Sequence, residues 1–103
     1  MEETMLEKTY RDTTKGRVCD VTFTLPATVN AETAHLLGEF NDWDPTINPM
    51  KKHKDNSFLV KVTIPQGIFR FRYLLDGERW ENDWEADGYA PNEYGSEDSV
   101  LEI

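Results

Sequence analysis

A single cysteine, Cys19, occurs in 103 residues, so no disulfide can close within the chain and stability must come from a packed core. Basic residues are scarce as well: eleven Lys and Arg stand against twenty Asp and Glu, a formal net charge of −9. A field of that sign repels phosphate backbones and anionic headgroups, so neither nucleic acid nor a membrane surface is an expected partner. A neutral polymer is indifferent to it. No segment approaches the roughly 20 apolar residues of a membrane span. Met1 to Tyr10 is charged throughout and lacks the apolar stretch of a secretory signal. Cytoplasmic residence is the expectation.

Signatures of catalysis and metal binding are also missing. The chain has no Gly-Lys-Ser/Thr phosphate loop, no Gly-x-Ser-x-Gly elbow and no Cys-His pairing, and the isolated His35 and His53 are read as surface residues rather than metal ligands. Asp83, Glu85 and Asp87 with Gly88 imitate the opening of a calcium loop, but Tyr94 stands where the bidentate Glu belongs and no helices flank the segment. Acidic residues abound, yet a glycosidase needs two carboxylates about 5–10 Å apart across a cleft, and short loops leave little room for one. No enzymatic activity, cofactor or metal is therefore expected.

What the chain does contain is alternation, the mark of half-buried strands. Cys19, Val21, Phe23 and Leu25 share one face of a run ending at Pro26. Ala34 and Leu36 lead to Gly38; Phe58, Val60, Val62 and Ile64 form a third run; Phe69, Phe71, Tyr73 and Leu75 a fourth; and Val100, Leu101 and Ile103 close the chain. Cys19 is read as a small buried hydrophobe. Turn residues divide the runs at short intervals, notably Pro65-Gln66-Gly67, Asp76-Gly77 and Pro91-Asn92. A chain of this length supports one two-layer core. The pattern predicts an all-β, immunoglobulin-like antiparallel β-sandwich of about seven strands over residues 16–103. Residues 1–15 are expected to form a loosely ordered extension, with Glu2 to Lys8 as the one short helical candidate.

Two turns carry tryptophans. Gly38-Glu39-Phe40-Asn41-Asp42-Trp43-Asp44-Pro45 follows one apolar run, and Tyr73-Leu74-Leu75-Asp76-Gly77-Glu78-Arg79-Trp80 closes another. An indole in a polar turn is poorly placed for a core and well placed to offer its flat face to a ligand. With Phe71 and Tyr73 inward, strand parity sets Arg70, Arg72 and Leu74 on the outer face. A three-residue loop of Asp76, Gly77 and Glu78 would pair Leu74 with Trp80 and set the indole outward beside Arg72. A two-residue Asp-Gly loop would pair Trp80 with Tyr73 and bury it.

Both segments, in this order, resemble the family 48 glycogen- and starch-binding modules of AMP-activated protein kinase β subunits, isoamylases and glycogen-branching enzymes, an early-set immunoglobulin-like family. The resemblance runs from about Val18 to Ile103. It implies a non-catalytic module that binds α-1,4-glucan, with Trp43 and Trp80 as stacking platforms and Arg72 as a donor to sugar hydroxyls. Tyr94 stands where the family often has an apolar residue against the sugar, and Asp98 where it often has an Asn. Two departures matter. Kinase-type members have one residue fewer between the Asp-Gly pair and the tryptophan, so outward display of Trp80 needs a wider turn or a bulge. Asp98 accepts hydrogen bonds but, unlike Asn, cannot donate one.

The resemblance leaves a glucan-metabolising enzyme open as a protein partner. A rival reading is a protein-interaction module docking through the same aromatics, since interfaces also favour Trp, Tyr and Arg. Trp84, a third indole absent from kinase-type modules, is expected to be partly buried against the following loop.

Overall fold

A computed structural model describes residues 5–103. Among them are nine strands: β1 (Leu6–Thr13), β2 (Gly16–Leu25), β3 (Ala34–Gly38), β4 (Lys51–Lys52), β5 (Phe58–Pro65), β6 (Ile68–Leu75), β7 (Arg79–Glu81), β8 (Gly88–Pro91) and β9 (Glu97–Glu102), with single 3-10 turns at Ala27–Val29 and Glu39–Asn41. All pairings are antiparallel. One sheet runs β1-β2-β5-β4, and the other β3-β6-β9-β8 with β7 also on β6. The expected sandwich is present, with more strands because β1 joins it and β4 is too short to show alternation.

Each predicted run contributes its apolar face. Cys19, Val21, Phe23, Leu25, Leu36, Ile64, Phe71, Tyr73, Leu75 and Leu101 are wholly buried, and Val60 and Val62, expected inside, are partly buried against them. Phe23 of the first sheet meets Phe71 of the second edge-on, centroids 5.4 Å apart, and Phe71 meets Tyr73 at 5.8 Å. Such edge contacts add to the stabilisation from apolar burial. Burial also pushes the Cys19 thiol pKa up, as expected of an unreactive core residue.

β5 and β6 lie in different sheets, so Gln66 and Gly67 carry the chain across the sandwich. Gly67 exchanges both backbone hydrogen bonds with Ile103. Towards its other end β6 bears the second tryptophan turn. Asp76 and Gly77 both have positive φ, 54° and 71°, a conformation glycine adopts freely and aspartate tolerates. The loop has three residues, and the register is Leu75↔Arg79, Leu74↔Trp80 and Tyr73↔Glu81. The wider of the two possible turns is the one adopted.

The amino-terminal segment differs from expectation. Leu6–Thr13 is a strand, paired with β2 through eight positions from Leu6↔Phe23 to Thr13↔Gly16, and not part of a helix; residues 2–4 of the short helical candidate lie outside the described residues. Lys8 ties the strand to the opposite sheet through Asp87 Oδ2 at 2.6 Å and the Glu102 carbonyl at 2.9 Å.

Gly38, at the end of β3, is where β3 and its neighbour β6 crowd. A Cβ there would stand 2.8 Å from the Arg70 carbonyl oxygen, the Phe71 Cβ and a Phe40 ring carbon. Gly38→Ala must therefore shift β3 from β6, and is expected to destabilise the domain by about 1–2 kcal/mol. Urea unfolding checks this, and an unchanged midpoint would contradict the packing described.

Candidate functional site

The first tryptophan turn is held in an unusual backbone conformation by one buried side chain. Asp42 and Trp43 both have positive φ, 56° and 57°, a region non-glycine residues enter rarely and at a cost. Asn41 sets the geometry: its Oδ1 accepts from Gly38 N–H at 2.9 Å, and its Nδ2 donates to the Leu36 carbonyl at 2.8 Å and Asn48 Oδ1 at 2.9 Å. The Trp43 N–H then donates to the Gly38 carbonyl at 2.9 Å. Beyond it, Asp44 accepts from the hydroxyl and backbone N–H of Thr46, which lower its pKa in that order of importance. Trp43 is half-buried, and its turn is a fixed part of the fold.

The second turn is fastened from outside. Asp76 Oδ1 accepts from the backbone N–H groups of Thr33 at 3.0 Å and Glu32 at 2.7 Å. These hydrogen bonds, Thr33 first, hold the carboxyl below the usual carboxylate pKa. The register then puts Trp80 on the outer face beside Leu74, 45% exposed. The Arg72 guanidinium lies over its ring, 5.5 Å from the centroid, a cation–π contact that orients the indole and cation together. Arg72 Nε is buried without a hydrogen-bond partner among the described residues.

The third component is the β8–β9 loop. Asn92 organises it, its Oδ1 accepting from Tyr94 N–H at 3.0 Å and Ser96 N–H at 3.2 Å, and its Nδ2 donating to Asp98 Oδ1 at 3.1 Å. Tyr94 stands at the tip, 84% exposed, while Asp98 is buried at the base.

These three parts enclose one groove of about 1010 Å³ on the outer side of the second sheet. All five residues singled out from the sequence, Trp43, Arg72, Trp80, Tyr94 and Asp98, line it. Glu39, Arg70, Asn92 and Ser96 line it too, and the sequence reading did not assign them to a site. For Arg70 the parity of β6 was a signal, since it shares the outer face with Arg72; nothing comparable marked the loop residues. The groove thus combines aromatic surface with donors and acceptors around it, the requirement of a ligand with flat apolar faces and a rim of hydroxyls.

The family model described as the glycogen recognition site of AMP-activated protein kinase matches residues 20–103. The chain belongs to this family. It is a family of carbohydrate-binding modules, non-catalytic domains. The match covers the resemblance read from the two tryptophan turns and leaves β1 and the start of β2 outside it. Over 39 residues the module is also 46% identical to a 1,4-alpha-glucan-branching enzyme of Rhizophagus irregularis, a stretch covering 38% of this chain and 6% of that protein. The module therefore corresponds to a small part of that relative.

Residues outside the groove have other work. Trp84, expected to be partly buried, is 54% exposed, its indole N–H directed at Glu81 Oε1 at 3.3 Å. The carboxylates of the calcium-like segment are engaged by protein donors: Asp83 by Tyr73 and Glu85, Glu85 by the Met5 N–H, and Asp87 by Lys8 and Glu102. His53 is exposed, whereas His35 is half-buried with Nδ1 unpartnered among the described residues. No helix among the described residues is long and apolar enough to cross a membrane.

Proposed function

We propose that the module binds α-1,4-linked glucan, as glycogen, starch or maltooligosaccharide, in the groove between its two tryptophan turns. Trp43 and Trp80 act as platforms for the C–H faces of glucose units. Arg72 donates to hydroxyls at the rim, Tyr94 closes over the ligand from the β8–β9 loop, and Asp98 accepts at the groove's base. The observation carrying this reading is the convergence of all five residues on one groove, in a chain whose family is a glycogen-recognition module. Cytoplasmic residence and a glucan-metabolising enzyme as neighbour belong to the same proposal. They are supported by the acidic, cysteine-poor composition and by the branching enzyme that shares a segment with the module.

A shallow, wet site on a flexible ligand binds modestly. Titration with maltoheptaose, followed by tryptophan fluorescence and amide shifts, is expected to saturate with a Kd between about 10 µM and about 1 mM, the amides of Trp43, Trp80 and Tyr94 moving most. No binding at millimolar sugar would overturn the reading. The protein-docking alternative would then take its place.

A further inference from the structure

The groove contains a second guanidinium, fixed more firmly than the first. Arg70 donates through Nη1 to the Pro91 carbonyl at 3.1 Å and to Asp98 Oδ2 at 3.4 Å, and its backbone N–H is held by Glu39 Oε1 at 2.6 Å. Both ends of the side chain are therefore placed. Nε and Nη2 carry three more N–H groups with no protein partner among the described residues, and the side chain is 41% exposed in the groove. An arginine with one nitrogen anchored and the rest of its fork open is a pre-positioned donor.

Its neighbour supplies what it lacks. Asp98 receives Asn92 on Oδ1 and Arg70 on Oδ2, leaving each oxygen a further lone pair. A carboxylate alone serves a hydroxyl only as acceptor, and a guanidinium only as donor. Neighbouring equatorial hydroxyls on a pyranose present both demands at adjacent positions.

We propose that Arg70 is a further ligand-contacting, specificity-determining residue. With Asp98 it forms a donor–acceptor pair that takes two adjacent hydroxyls of one glucose unit, the guanidinium donating to one and the carboxylate accepting from the next. The pair restores the donor that an aspartate cannot provide. The inference rests on the glucan reading above.

Two variants separate ligand contact from mere bracing of the Tyr94 loop. Arg70→Met keeps the apolar stem and removes every donor. Arg70→Lys keeps a charge able to reach Asp98 and Pro91 but loses the open fork. Maltoheptaose binding is expected to weaken about tenfold in Arg70→Met, as suits the loss of a charge-assisted hydrogen bond. In Arg70→Lys it should weaken about threefold or more, with the Tyr94 and Ser96 amide signals of the free protein at their wild-type positions. Wild-type affinity in either variant overturns the inference, as does an affinity loss in Arg70→Lys that appears only with displacement of those two amides. Failure of the wild-type protein to bind is a different result, which removes the glucan reading and this pair's role together.

Discussion

Asp83→Ala is expected to destabilise the domain by about 3 kcal/mol or more. Asp83 is fully buried at the point where the chain leaves β7 and turns towards β8. Its Oδ2 accepts from the Tyr73 hydroxyl at 2.6 Å, its Oδ1 from the Glu85 N–H at 2.8 Å, and its own N–H donates to Ser99 Oγ at 2.8 Å. The Ser99 hydroxyl in turn donates to Asn82 Oδ1 at 2.9 Å, and the Tyr89 hydroxyl donates to the Asp83 carbonyl. Removing the carboxylate strands the Tyr73 hydroxyl in the core, where an unsatisfied polar group costs about 1–3 kcal/mol by itself, and leaves the Glu85 N–H without its acceptor. Urea unfolding measures the loss; a cost below about 1 kcal/mol would show the network to be peripheral.

The same carboxyl gives a pH signature of definite sign. Burial raises its pKa above the ordinary aspartate value, so over the range between the two values the folded protein holds a proton that the unfolded chain has released. This contribution is complete below about pH 3.8 and is lost as pH rises through the folded pKa. Against Asp83→Asn, which cannot ionise, wild type should gain relative stability as the pH falls from 7 towards 4. The opposite shifts at Asp20, Asp44, Asp55 and Asp76, all lowered by hydrogen bonds, occur in both proteins and cancel in the difference. A difference flat with pH would mean that Asp83 is not the proton-binding group.

Neither Asp83 nor β1 was legible in the sequence, for related reasons. Apolar alternation reports only strands with one face in the core. Cys19 to Leu25 and Phe69 to Leu75 have such a face, and their parity followed from it, whereas the choice between the two registers open to Trp80 was settled only by the three-residue turn. β1 is an edge strand exposed at most positions, and its pairing comes from backbone hydrogen bonds that every sequence possesses. Asp83 sits among Glu81, Glu85 and Asp87, where surrounding acidity suggests a solvated or metal-binding segment. Its burial depends on Tyr73, ten residues earlier, and on Ser99, sixteen later. The site divides the same way. Parity and resemblance pointed to the residues lining the groove from strands and tryptophan turns, whereas the positive-φ turn held by Asn41 and the Arg70–Asp98–Asn92 contacts exist only once distant segments meet.

Trp80→Ala and Trp43→Ala should each weaken maltoheptaose binding by about 2 kcal/mol or more, roughly thirtyfold, the scale of an aromatic anchor covered by its ligand. Their effects on folding should differ. Trp80 is nearly half exposed and carries the Arg72 cation over its ring, so its loss removes a contact worth about 0.5–1 kcal/mol and little core packing. Trp43 is half-buried within a turn already held by Asn41, and its loss should cost about 1–2 kcal/mol, still short of the ~3–5 kcal/mol of a fully packed tryptophan. Affinity and urea midpoint must therefore be measured on the same variants. An indole that stacks on sugar lowers affinity far more than stability, whereas a structural plug does the reverse. Wild-type affinity in both variants would remove the tryptophans from the binding mechanism, and global unfolding of either would assign that indole to the core. Arg72→Ala should weaken binding less than either, because it withdraws hydrogen bonds at a wet rim where water replaces them. An arginine effect larger than both tryptophan effects would make polar recognition, rather than stacking, the main source of affinity.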